Sequence, residues 1–156
     1  MKFRAVIVVG LAIVLAGCAE QRIISANDHV LVVASDIDDS AELATAKVSY
    51  FLAEPERLDE RSASEKVTEF HYEGVFDCQG GAWADTKQTL HLEGGQVITN
   101  ANPQAVLTRP AQDTIGESVL LAVCDPLGAK TATRRPLKSI VRDYRERVSS
   151  SLSKAA

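Results

Sequence analysis

Three thiols, three imidazoles and one alternating run of carboxylates are the side chains of this chain that could do chemistry, and their neighbours decide what each can do. Cys18 follows Leu15-Ala16-Gly17 at the end of a nearly unbroken apolar run from Ala5 to Ala16, itself preceded by Lys2 and Arg4. A positive start, a short apolar stretch and a small residue before a cut site are the parts of a secretory signal peptide, here residues 1–17. The stretch is too short to cross a bilayer as a permanent helix. Cys78 and Cys124 then remain as the thiols of the exported body. In an oxidising compartment an even pair reads as one disulfide, whereas the competing chemistry is a nucleophilic cysteine with His71 or His91 as its base.

The remaining candidates are weaker. Asp36, Asp38, Ser40 and Glu42 alternate like calcium ligands, but Ala41 stands where a calcium loop needs glycine and Lys47 where it needs its last carboxylate. His71, Glu73 and His91 could supply two or three zinc ligands, yet on polar strand faces they read as solvated side chains. Gly116-Glu117-Ser118 lacks the second glycine of a nucleophile elbow, and no phosphate-binding glycine loop or dinucleotide fingerprint occurs. With 5% aromatic residues and an acidic body, the chain is not built as a nucleic-acid platform. The expectation is a protein without catalysis, cofactor or metal.

The elements that position these residues follow from periodicity. Val30 to Ser35 is a Val-rich run typical of a buried strand, and 45–53 alternates as a second. In Glu69–Cys78, Phe70, Tyr72, Phe76 and Cys78 share one face while Glu69, His71, Glu73 and Asp77 share the other, and Gly74 marks a bulge. Residues 82–92 and 97–99 make two more strands around the turn Glu93-Gly94-Gly95-Gln96. Thr114 to Glu117 has capping-box spacing and opens a helix that Pro126 ends, with Cys124 in its last turn placed to reach Cys78. A second helix runs from Pro136 to about Leu152 with an apolar stripe of Leu137, Ile140, Val141, Tyr144, Val148 and Leu152. The expected fold is therefore α+β: an antiparallel sheet of five or six strands against a short helix, one disulfide, and a C-terminal amphipathic helix.

Charge divides the chain further. From Cys18 to Ala129 seven lysines and arginines stand against nineteen aspartates and glutamates, and from Lys130 to Ala156 eight stand against two. A basic arm on an acidic body is the pattern. The expected organisation is a signal peptide at 1–17, a polar linker at 18–29, a disulfide-stapled domain at 30–129 and a basic helix at 130–156. That helix could pack on its own sheet, dock a partner through Leu137, Ile140, Val141, Tyr144, Arg142 and Arg145, or touch anionic lipid or glycan.

Leu15-Ala16-Gly17-Cys18 resembles the lipobox of bacterial lipoproteins. The resemblance implies that Cys18 carries diacylglycerol and becomes the first residue after cleavage. Ala19 in place of Asp implies routing to the outer membrane, with the membrane as a partner through lipidated Cys18. Phe76-Asp77-Cys78, the strand and Gly-Gly hairpin that follow, Pro110, Leu120-Leu121 and Cys124 resemble the surface-adhesin protein E family of proteobacteria over roughly residues 30 to 125. That resemblance implies an exported antiparallel sheet linked to a helix by one disulfide and an adhesin-like binding role. It assigns no binding residue, and the basic C-terminal helix lies outside it. Two functions follow as expectations: an outer-membrane lipoprotein displaying a non-catalytic domain to a protein or envelope polymer, or a periplasm-facing structural accessory of an envelope complex that docks through its C-terminal helix.

Overall fold

In the structure, a computed structural model, residues 20–57, 65–125 and 132–155 are described. Seven strands form one antiparallel sheet: β1 (Gln21–Ala26), β2 (Val30–Asp38), β3 (Ala44–Glu56), β4 (Val67–Asp77), β5 (Ala82–Leu92), β6 (Val97–Ala101) and β7 (Ala132–Thr133). Two helices, α1 (Ile115–Cys124) and α2 (Leu137–Ala155), complete the fold. The strand order β6-β5-β4-β3-β2-β1-β7 is a meander from β1 to β6, with β7 returning to the far side of β1.

The helices cover opposite faces of the sheet. Val119, Leu120 and Val123 of α1 pack on Val32, Ala34, Val48, Tyr72 and Phe76, while Ile140, Val141, Tyr144 and Val148 of α2 pack on Leu31, Val33 and Phe51. This explains why β2 is buried without interruption from Leu31 to Ser35: a strand covered on both sides loses the apolar–polar alternation. Gly74 lies at the register shift between β4 and β5, where a Cβ would come within 3.0 Å of the Phe76 ring, so glycine here leaves room for that ring. Cys78, just beyond β4, is bonded to Cys124 in the last turn of α1 with their Cα atoms 5.3 Å apart, and this bridge fastens α1 to the sheet.

The expected strand number needs correction, and several local details differ. The sheet has seven strands instead of five or six, because residues 21–26 and 132–133 belong to it. Residues 21–26 were expected within a linker, since only Ile23 and Ile24 break their polar character; they are strand because β2 and β7 flank them and satisfy their backbone groups. The expected boundary at 129/130 divides residues that share one sheet, as Gln21 and Arg22 pair with Thr133 and Ala132. In α1 the inward face also differs in detail: Leu120 is buried and Ile115 is 43% exposed. Thr114 caps that helix, its Oγ1 accepting from the Glu117 N–H, while the Glu117 carboxylate accepts from the Asp113 N–H rather than from Thr114.

Candidate functional site

α2 covers only part of its face of the sheet, the part carrying Leu31, Val33 and Phe51. Farther across, β4 and β5 present Glu69, His71, Glu73, Lys87, Thr89 and His91 on the same side, beside Lys47 of β3, because these residues alternate with the Phe70–Tyr72–Phe76 face. All of them except Glu69 line a cleft of about 250 Å³. A neighbouring groove of about 480 Å³ has Phe51 and Val141 in its floor and Lys138, Arg142 and Arg145 along its wall, with Glu69 and Glu146 at its rim. Lys138, Arg142 and Arg145 share that wall because their spacing of four and three residues keeps them on one flank of a helix.

His71 is the centre of the cleft. Its ring meets Phe51 edge-on at 5.7 Å and His91 edge-on at 5.0 Å. Burial, and then the charges of Lys47 and His91, lower its pKa to about 4, so the imidazole is neutral at physiological pH. The Glu69 carboxylate sits 3.7 Å from Nε2, beyond a hydrogen bond. His71 Nδ1 and Ser49 Oγ are both buried without a hydrogen-bond partner among the described residues, although Ser49 is the residue opposite His71 across β3 and β4. A serine beside a histidine invites a nucleophile reading, but Ser49 is 1% exposed and its hydroxyl does not bond the ring. It lacks both the access and the base contact that nucleophilic catalysis requires. Across the cleft, Lys87 and Glu73 form a 2.7 Å ion pair.

The residues singled out from sequence fall in different places. Cys18 lies outside the described residues. Cys78 and Cys124 are bonded to each other, so neither is a free nucleophile. Of the three roles open to α2, packing on its own sheet is the one these apolar residues take: Ile140, Val141 and Tyr144 are buried there and Leu137 is half-buried against it. The apolar stripe of α2 finds its complement in Leu31, Val33 and Phe51. Arg142 and Arg145 stay exposed, and Arg142 is shared between Asp143 at 3.4 Å and Glu146 at 3.9 Å. Asp36 adopts φ 51° at the irregular end of β2, and the Asp38 carboxylate accepts from the Ser40 hydroxyl and from the Ser40 N–H, which together lower its pKa. Among the described residues no three His, Cys, Asp or Glu side chains converge as a metal site.

Sequence reasoning missed Arg22. Its guanidinium donates to the carbonyl oxygens of Ala122, Val123 and Asp125 at 2.6, 3.2 and 3.3 Å, closing the C-terminus of α1 from a strand a hundred residues away. The lack of a basic residue in the last turn of α1 was the only available signal. Compared with known proteins, the chain matches no family model, no curated protein and no solved structure.

Proposed function

We propose that this chain is a lipoprotein held in a bacterial outer membrane through Cys18, displaying a small non-catalytic binding domain of adhesin-like type. The observation that carries the reading is the order of parts at the N-terminus: a charged start, an apolar run, Leu15-Ala16-Gly17-Cys18, and then a folded domain whose first strand begins at Gln21. Acyl chains on Cys18 would make the anchor stable, each buried methylene adding about 0.8 kcal/mol of membrane affinity. A disulfide between the only other two cysteines suits an exported domain. On this reading the uncovered cleft and groove beside α2 are the surfaces offered to a protein or envelope polymer.

A second reading, a periplasm-facing accessory subunit docking through α2, is favoured by the exposed cations of that helix, although its apolar stripe is already occupied. Intact mass of the membrane-extracted protein tests the anchor: acyl mass on Cys18 is expected, and the Cys18→Ser variant should leave the membrane fraction. An unmodified Cys18 would end the lipoprotein reading. Protease treatment of whole cells separates the two roles, removing a surface domain and sparing a periplasmic one.

A further inference from the structure

The two edges of the sheet are finished differently. β7 is two residues long and is followed by Arg134 and Arg135, the short charged edge that discourages further strand addition. β6, Val97-Ile98-Thr99-Asn100-Ala101, carries no charge and no proline, and its ladder with β5 is free of bulges. Its flanking hydrogen bonds give its phase. Leu92 N donates to Gln96 O at 2.9 Å and Asn102 N donates to Thr86 O at 2.7 Å. Antiparallel pairs alternate between bonded and non-bonded, so residues 96, 98, 100 and 102 turn their backbone groups toward β5. The N–H and C=O groups of Val97, Thr99 and Ala101 consequently point away from the sheet.

Side chains on the α1 side of the sheet point to what pairs with them. Val32, Tyr50, Phe70, Leu90 and Ile98 are direct neighbours in register across β2 to β6 and form one transverse apolar row. Tyr50 and Phe70 stack at 4.2 Å, and from Tyr50 outward every member of the row is only half-buried. α1 lies over β1 to β4 and leaves the outer end of the row open. The row stops at Ile98 on an edge whose outer backbone groups have no backbone partner among the described residues, beside Val97 at 52% exposure.

We propose that β6 is a docking edge for β6 of a second copy of this chain, paired antiparallel about a twofold axis through Ile98, so that two sheets run on as one. Of the registers this edge allows, only that one sets Ile98 against Ile98 and carries the apolar row across the junction. A register centred on Asn100 joins two amides, and one centred on Thr99 joins two hydroxyls on the other face. In the Ile98 register Val97 and Thr99 exchange backbone hydrogen bonds with Thr99 and Val97 of the other copy, using the groups already turned outward. A five-residue edge is small beside the roughly 1,200–2,000 Å² of a stable interface, so the association is reversible and sensitive to dilution.

A covalent trap reads such a pairing directly. The full-length protein carrying Ile98→Cys, purified as folded material and oxidised with copper phenanthroline, is expected to form a disulfide-linked dimer on a non-reducing gel. Asn100→Cys is expected to form none, because its two copies would lie about 13 Å apart along the strands, well past disulfide reach of about 7 Å between Cα atoms. Adding Thr99→Pro to Ile98→Cys should abolish the dimer in protein that still folds, since it removes an outward N–H that β5 does not use and, on the β5 side, only the exposed 3.3 Å contact between the Thr99 and Thr89 hydroxyls. Ile98→Lys gives a check independent of proline: it should remain monomeric at concentrations where the unaltered protein shifts to a dimer in size-exclusion chromatography with light scattering. Equal trapping of Ile98→Cys and Asn100→Cys, or no trapping of Ile98→Cys in folded protein, overturns the proposal.

Discussion

Acidification should weaken this protein through His71. The folded state holds that imidazole at a pKa of about 4, against 6.5 for an unperturbed histidine, because it is buried and faces Lys47 and His91. Below about pH 6.5 the unfolded chain takes up a proton that the folded chain refuses, so stability is full above that pH, falls on acidification and levels off below about pH 4. A shift of that size corresponds to about 2 kcal/mol between about pH 7 and about pH 4.5. Because carboxylates titrate over part of the same range, the quantity to measure is a difference. Urea unfolding of the wild type and of His71→Leu at both pH values should show the wild type losing about 2 kcal/mol more than the variant. Near neutral pH, His71→Leu should cost little, since it removes an Nδ1 that has no hydrogen-bond partner among the described residues. Parallel losses in the two proteins, within about 0.5 kcal/mol, would refute the reasoning about a neutral buried ring.

Other perturbations test the packing. Replacing Cys78 and Cys124 by serine opens a loop of sequence separation 46, and loop-closure entropy puts the loss at about 4 kcal/mol, readable as a lowered urea midpoint. Tyr144→Phe should be neutral or stabilising by up to about 1 kcal/mol, because the Tyr144 hydroxyl is buried without a partner among the described residues; a loss above that size in thermal melting would reveal a bond to that oxygen. Arg22→Ala should cost about 2 kcal/mol by removing charge-assisted bonds to the end of α1, with faster amide exchange confined to that helix.

The strands with clear alternation or a compact apolar run were readable from sequence: β2, β3, β4 and β5 lie close to where periodicity puts them. Both helices were readable as well, α1 from its capping spacing and α2 from its stripe. What escaped notice depends on partners distant in sequence. β1 is strand because β2 and β7 bracket it, and β7 is too short to have a period at all. The cleft was only half legible. His71, Glu73 and His91 stood out as residue types, but neither the burial of His71 nor the approach of Ser49 follows from local pattern, since both depend on strand register. The same holds for α2: its apolar stripe was plain, but which surface it would cover was not.

The pairing of β1 with β7, and the packing of α2 on β2 and β3, tie the two ends of the chain together. Leu31, Val33 and Phe51 obtain their cover from residues 137–148, more than eighty positions later. A polypeptide that has emerged from a ribosome only as far as Cys124 therefore still shows one greasy side of its sheet to water. Assembly of the mature packing on that side waits on the last stretch to arrive.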